Sequence, residues 1–195
     1  MSVKNKRHDV IQATLEIIAE NGFHNAPTSL IAERANVGMG TIYRYFKSKD
    51  ELIHAIYSER LNIAKEYTLA DYDIASPLKE RYIRLCRNFF DYLINNPLDY
   101  GFFEQYRNSP YGLKEQSDNM LGFKQGETPD SYPLLQLLSE GQELKIIKEM
   151  KLPLLVTLTM SPIFTLAGHW ISGSLKTEDE EINQFFSASW DAVSR

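Results

Sequence analysis

The stretch TSLIAERANVGMGTIYRYFKSKDEL, which spans residues 28–52, decides how this chain folds. It contains two short segments with helical patterning, at about residues 29–35 and 39–46, and a short connection separates them. Asn36 stands in this connection, and asparagine tolerates the left-handed backbone conformation that a tight turn requires. Two short helices joined by a tight turn predict a helix-turn-helix.

The second of these helices has two chemically different sides. On a helical wheel the apolar side carries Met39, Ile42 and Phe46. The opposite side offers a glycine and two cations, flanked by a hydroxyl and a phenol: Gly40, Arg44, Lys47, Thr41 and Tyr43. The apolar side can pack on neighbouring helices, and the polar groups suit DNA phosphates and base edges in a major groove. A plain surface helix with solvated cations gives the same wheel, so the wheel alone leaves both interpretations open.

The rest of the chain also has helical patterning, because apolar residues recur every three or four positions and period-two alternation is absent. Further helices are predicted at about residues 7–21, 49–70, 77–94, 98–106, 133–149, 152–173 and 178–193. The predicted N-caps are Thr28, Ser48 and Thr177, the last two in capping boxes with Glu51 and Glu180. Residues 108–131 are rich in Gly, Pro, Ser, Asn and Gln, which predicts a long and mobile loop. The fold class is therefore all-α, with a small three-helix N-terminal part and a larger helical part.

Charge is distributed unevenly along the 195 residues, whose net charge is −5. Residues 1–49 carry seven Lys and Arg against four acids, whereas the remainder carries fourteen against twenty-two. This pattern favours a basic DNA-binding segment on an acidic body and disfavours a protein that coats nucleic acid over its whole surface. The single cysteine cannot form an internal disulfide and fits a reducing cytosol, and the charged start indicates no secretory leader.

Catalytic patterns are missing from the sequence. It contains no paired His/Cys metal spacing, no phosphate-binding loop, and no serine or cysteine nucleophile motif. We therefore expect no enzyme activity, no cofactor and no metal.

Residues 28–52, and above all GTIYRYFKSK at residues 40–49, resemble the helix-turn-helix of the TetR family of bacterial repressors. The strong resemblance covers about residues 9–57. It implies a DNA-binding domain at residues 1–50, with the helix-turn-helix at about 27–46, and a helical effector-binding and dimerisation domain at 51–195. It also implies a cytoplasmic homodimer that binds a palindromic double-stranded DNA operator and leaves it when a small-molecule effector binds.

The resemblance also implies roles for individual residues in DNA binding. Thr28 and Lys49 would contact phosphates, and Met39, Gly40 and Thr41 would face bases. Tyr43 and Tyr45 would contact the DNA backbone or bases, and the wheel adds Arg44 as a further candidate. Gly38 stands where the family usually has serine, so one hydroxyl for capping and phosphate contact is missing.

Aromatic residues are concentrated between residues 82 and 132, where eleven occur in 51 positions. This concentration fits either a well-filled core or an aromatic-lined effector pocket, and the family resemblance favours the pocket. The candidate pocket residues, which would suit a largely apolar or aromatic effector, are Cys86, Phe89, Phe90, Phe102, Phe103, Tyr106, Phe164 and His169. For two of them a purely structural role remains open, since His169 fits a hydrogen-bonded core histidine and Cys86 fits a packed thiol.

Residues 152–173 contain no charged side chain over a length that could span a membrane. Interspersed proline, serine and threonine favour a helix buried inside protein, so we expect no membrane partner. The resemblance implies that this helix and the last one build the dimer interface. The candidate interface residues on the last helix are Ile182, Phe186 and Trp190.

Other functions remain open at this level. The chain could be a regulator that responds to no small molecule, or one that activates transcription. It could also be an all-α binding or scaffold protein that has lost DNA contact, although the intact Tyr43 and Lys49 argue against that loss.

Overall fold

The structure, a computed structural model, describes residues 3–112 and 132–195, with side chains from residue 6 onward. The part of the predicted loop at residues 113–131 lies outside the described residues. The helices are α1 (Val3–Asn21), α2 (Thr28–Arg34), α3 (Met39–Tyr45), α4 (Lys49–Thr68), α5 (Leu78–Asn95), α6 (Pro97–Arg107), α7 (Pro133–Glu143), α8 (Leu152–Ile171) and α9 (Asp179–Val193). The described residues contain no β-strand, which confirms the all-α prediction.

The chain divides into two compact units. The N-terminal unit contains the described residues of Met1–Asn62 together with those of Leu98–Lys114. The C-terminal unit contains the described residues of Ile63–Pro97 and Glu115–Arg195, so α4 contributes residues to both units. The functional boundary at residue 50 stays a prediction.

In the N-terminal unit, α1 packs on α2 and α3 through its apolar stripe. The side chains of Ile11, Leu15 and Ile18 are buried, as their three- and four-residue spacing predicts. Gly22 ends α1 with a φ of 75°, and Asn36 has a φ of 50° in the turn between α2 and α3. Both residues have a positive φ, which glycine and asparagine tolerate, so the predicted chain reversals form where the sequence indicates.

The helix caps differ in detail from the predictions. Pro27 rather than Thr28 precedes α2, and no side chain caps this helix. Ser48 accepts the Glu51 main-chain N–H as predicted, but the Glu51 carboxylate accepts from the N–H of Lys47 instead of Ser48. The capping box of α9 lies one residue later than predicted, with Glu178 at the N-cap and Glu181 as its partner.

The C-terminal unit is built around α5, which packs against α7, α8 and α9. Tyr82 on α5 lies in the core, where its hydroxyl is hydrogen-bonded to Thr159 on α8 and Ser189 on α9. The buried Arg81 guanidinium donates to both carboxylate oxygens of Glu140 on α7, at 2.7 Å each. These bonds satisfy polar groups that would otherwise be costly to bury.

Helix α7 ends at Glu143, six residues before the predicted end at residue 149. Lys145 adopts a φ of 60°, and the Gln142 side chain donates to the carbonyls of Lys148 and Met150. Beyond this reversal, Ile147 forms an isolated antiparallel bridge with Ser194 near the C-terminus. The helical spacing of apolar residues continues past Glu143, which is why the sequence predicts a longer helix. The chain reverses at Lys145 instead, and Ile147 is fully buried in the segment that follows.

The structure corrects the dimer-interface prediction for Ile182, Phe186 and Trp190. All three side chains are buried inside the protomer, with at most 6% of their surface exposed. The Phe186 ring contacts Phe90, and the Trp190 ring contacts Tyr82, both at α5. The aromatic content of α9 therefore serves the core of the C-terminal unit, which explains why a terminal helix is so apolar.

Candidate nucleic-acid interface

One side of α3 packs into the N-terminal unit and the other is exposed. Ile42 and Phe46 are buried, with 2% and 3% of their surface exposed, and they anchor the helix. Met39, which the wheel placed beside them, is 44% exposed, and Tyr43 is 49% exposed. Met39 is the first residue of α3. We call the exposed side of α3 the recognition face; it comprises Met39, Gly40, Tyr43 and Arg44.

The cations of the N-terminal unit fall into two groups. Arg34 donates to both carboxylate oxygens of Glu20 at 3.1 Å, and Arg7 is 2.9 Å from the Glu59 carboxylate. The side chains of Arg44 and Lys47 are exposed and have no acidic partner among the described residues, although the main-chain N–H of Lys47 donates to the Glu51 carboxylate. Positive side-chain charge without an acidic partner among the described residues is thus present at the recognition face and directly after it, as well as at Lys6 on α1.

Gly40 has no internal reason to be glycine. Its backbone is helical, and a Cβ atom at this position would meet no atom of the described residues within 4 Å. Glycine weakens a helix relative to alanine by up to about 1 kcal/mol, so this glycine costs helix stability without relieving a close contact among the described residues. A glycine at this point permits another molecule to approach the helix backbone closely.

Lys49, at the start of α4, is half-buried. Its Nζ donates to the main-chain carbonyl of Phe23 at 2.9 Å, which ties α4 to the turn that follows α1. Burial lowers the pKa of Lys49, and the neighbouring Asp50 carboxylate acts in the opposite direction. An ammonium group has three donors, so this bond leaves two donors for an external anion.

The remaining candidates lie beside the recognition face. Thr28, at the start of α2, and Thr41, on α3, are half-buried. The Tyr45 ring is also half-buried, lies near the Phe46 ring, and has the Arg44 guanidinium 5.2 Å from its centroid. The wheel and the family resemblance disagree over Arg44 and Tyr45, and the structure exposes Arg44 more fully.

Comparisons with known proteins decide the family. Residues 10–56 match the family of bacterial regulatory proteins named tetR, and residues 77–194 match the tetracyclin repressor-like C-terminal domain. The second match alone covers more than half of the chain. The protein belongs to the TetR family. It is a DNA-binding transcriptional regulator, and the family as a whole consists of such regulators.

Individual relatives of this TetR-family protein cover different parts of it. An uncharacterized HTH-type transcriptional regulator of Haemophilus influenzae is 24% identical over 95% of this chain and 94% of its own length. The fatty acid metabolism regulator protein of Bacillus subtilis is 34% identical over 88 residues, which are 45% of each chain. The crystal structure of the regulator FadR from Bacillus subtilis in complex with stearoyl-CoA shares the fold, with a TM-score of 0.70. It is 24% identical, over 94% of this chain and 95% of that one.

Helix α6 brings aromatic residues to the N-terminal unit of this TetR-family protein. The Tyr106 ring stacks on Tyr57 of α4, with 4.0 Å between ring centroids, and its hydroxyl lies 3.1 Å from Nδ1 of His54. Phe102 contacts Phe23, and Phe103 contacts Tyr57. Local sequence patterns do not indicate the partners His54, Tyr57 and Phe23, because 46 or more positions separate each of them from the α6 residue named as its contact.

The predicted pocket residues are therefore divided between the two units. Phe103 and Tyr106 belong to the N-terminal unit, whereas the candidates on α5 and α8 belong to the C-terminal unit. There the Phe90 ring contacts Trp170 and Phe186, and Phe89 contacts Phe164.

Two pocket candidates, Cys86 and His169, also had structural interpretations, as a packed thiol and as a hydrogen-bonded core histidine. Cys86 is buried, and burial raises the pKa of its thiol to about 12, so the thiol stays protonated and packs as an apolar group. His169 is exposed rather than in the core, and its Nδ1 lies 2.9 Å from the Ser174 hydroxyl. It stands at the last turn of α8, where the chain leaves the helix.

Proposed function

We propose that this protein is a cytoplasmic, homodimeric repressor that binds a palindromic DNA operator through α2 and α3. The observation that carries the proposal is the recognition face with the following Lys47, where the exposed side chains of Arg44 and Lys47 have no acidic partner in the described part of the chain. Cations that a protein leaves unpaired on one small surface attract DNA phosphates, while Arg34 and Arg7 are already neutralised by carboxylates.

Within this interface we assign two kinds of contact. Gly40 and Thr41, with Met39 beside them, lie in the first turn of α3 and would meet base edges in the major groove. Thr28, Lys49 and the two tyrosines of α3 would hold the phosphate backbone, which sets the position of the helix without reading the sequence.

We assign dimerisation to the exposed side of α8. Leu154 and Leu158 are 51% and 39% exposed, and the same helix exposes Thr157, Ser161 and Thr165. By length and composition α8 could cross a membrane, and only 28% of its most apolar 18-residue stretch is buried within the protein. A second copy of the same helix would cover this uncharged side, and a twofold dimer explains how two recognition faces would read a palindrome.

We propose a largely apolar effector. The C-terminal unit is rich in aromatic side chains, of which Phe89 and Phe164 are half-buried. The FadR structure was solved with stearoyl-CoA, a long acyl chain on a polar carrier. Long-chain acyl-CoA thioesters are therefore the first compounds to test.

Selection of bound DNA from a random pool tests the central proposal. Recovery of a palindrome, with an affinity that falls steeply as salt rises, is the expected result. Weak binding without sequence preference would contradict it and would favour an all-α scaffold protein that has lost operator contact.

The affinity for an acyl-CoA, measured with and without operator, tests the effector. If the ligand releases DNA, operator must weaken ligand binding by the same factor, because the two equilibria are linked. Equal affinities would show that the compound is no inducer. A broad panel that gives only such compounds would favour a regulator without a small-molecule effector.

A further inference from the structure

Tyr111, which follows α6 in the sequence, contacts the start of α4. Its hydroxyl donates to a carboxylate oxygen of Asp50 at 3.0 Å, across 61 positions of the chain. Its ring lies 5.4 Å from the ring of Phe23, whose main-chain carbonyl accepts the hydrogen bond from Lys49. Four residues thus form a closed series of contacts around the N-terminus of α4.

The charge of Asp50 matters at this position. It stands next to Lys49 in the first turn of α4, and the carboxylate interacts electrostatically with the Lys49 ammonium group. A DNA phosphate at the same helix end would need Lys49 and would be repelled by Asp50. Any group that draws the carboxylate away from Lys49 therefore favours phosphate binding.

Tyr111 is suited to this task. Burial, followed by the contact with Asp50, raises the pKa of the Tyr111 phenol to about 12, so the hydroxyl remains a donor at neutral pH. Because the bond also directs the carboxylate toward the phenol, it tempers the negative charge beside Lys49. The residue lies outside residues 10–56, which form the tetR match.

We propose that Tyr111 is a positioning residue for DNA binding, which holds Asp50 away from Lys49 and leaves the Lys49 ammonium group available to a phosphate. This inference rests on the proposed function. Operator affinity would then depend on a residue that lies far from the helix-turn-helix in the sequence.

The test combines Tyr111→Phe, Asp50→Asn and the double variant in a cycle of operator-binding measurements. Tyr111→Phe keeps the ring and its contact with Phe23, so the fold should be retained, which thermal unfolding checks. We expect it to weaken operator binding by roughly three- to tenfold, because the freed Asp50 carboxylate would compete for Lys49 and repel the phosphate through a partly solvent-screened charge interaction. Unrelated DNA should lose affinity by the same factor, since a phosphate contact carries no sequence information.

The Asp50→Asn background separates positioning from packing. There the same Tyr111→Phe substitution should change operator affinity by less than a factor of two. Tyr67→Phe removes a hydroxyl from an exposed tyrosine of the C-terminal unit and serves as the control, with no expected change.

Two results would overturn the inference: unchanged affinity in Tyr111→Phe, or an equal loss in both backgrounds, which would indicate a packing effect. Absence of specific DNA binding by the wild-type protein would instead remove the proposed function itself, so the two failures are distinguishable.

Discussion

Lys49 Nζ lies 2.9 Å from the main-chain carbonyl of Phe23, so the side chain that we expect to contact DNA also forms a hydrogen bond within the protein. Lys49→Ala should therefore have two effects. The variant should bind all DNA sequences more weakly by a similar factor, and the salt dependence of log affinity should fall by about 0.9, as for one lost phosphate contact. The protein should also lose about 1 kcal/mol of unfolding free energy with the hydrogen bond.

Thr41→Ala is the matched contrast. It should lose preference at one or two base positions, by roughly 1–3 kcal/mol for a well-made contact, with little change in the salt dependence. Operator titrations at several salt concentrations measure both quantities. A change of base preference in Lys49→Ala at an unaltered salt slope would reverse our assignment of roles.

Gly40→Ala should stabilise the protein and weaken operator binding at the same time. The added methyl group meets no atom within 4 Å in the part of the chain that the structure describes, and alanine favours the helix by up to about 1 kcal/mol. Bound DNA would meet that methyl group. A Gly40→Ala variant with a higher melting temperature and wild-type affinity would show that DNA does not approach this backbone closely.

The dimer proposal predicts a monomer when α8 carries a charge on its exposed side. Leu154→Glu and Leu158→Glu should shift the mass in dilute solution from about twice 22.5 kDa toward 22.5 kDa, without unfolding the protomer. Ile74→Glu changes a residue that is 75% exposed outside α8 and should remain dimeric. Phe186→Glu should instead unfold the C-terminal unit, because its side chain is fully buried. A wild-type monomer at micromolar concentration would be incompatible with the proposed assembly.

Glu140→Gln tests the ion pair between α5 and α7. The buried Arg81 guanidinium would lose its carboxylate partner, at a cost of about 1–3 kcal/mol, less than for a fully buried pair because Glu140 keeps contact with solvent. Glu143→Gln changes an exposed acid at the end of the same helix and should have little effect.

The same pair predicts a pH dependence. The hydrogen bond with Arg81 holds the pKa of Glu140 below its ordinary value of 4.5. A carboxyl whose folded pKa is lowered stabilises the fold above its unfolded pKa and loses that contribution as the pH falls through the folded pKa. The stability difference between wild type and Glu140→Gln should thus be full near pH 7 and shrink below about pH 4.5. Urea unfolding across this range measures it, and a constant difference would contradict the assigned cause.

Local patterns in the sequence were sufficient for the helix-turn-helix. Ile42 and Phe46 are buried as their spacing on one side of α3 predicts, and Asn36 and Gly22 have positive φ where the chain reverses. These features depend on residues within a few positions of one another, where helical periodicity and residue type dictate the outcome. The resemblance of residues 40–49 to the TetR family then identified the class of protein correctly.

The sequence also showed that α8 and α9 need apolar surroundings, but not which surroundings. Tertiary packing turns Phe186 and Trp190 of α9 into the protomer's core and leaves Leu154 and Leu158 of α8 exposed. An apolar stripe has a burial free energy but no directional preference for its partner, so the same pattern serves a core and an interface equally well.

Contacts between distant positions were decided by the tertiary structure alone. The Lys49–Phe23, Arg81–Glu140 and Tyr111–Asp50 hydrogen bonds join residues that are 26, 59 and 61 positions apart. A charged or phenolic side chain can bond any acceptor that folding brings within about 3 Å, and its own sequence neighbours do not specify which acceptor that is. The sequence therefore determined which helices form and which family they belong to, whereas the packing of those helices selected the partner of each polar group.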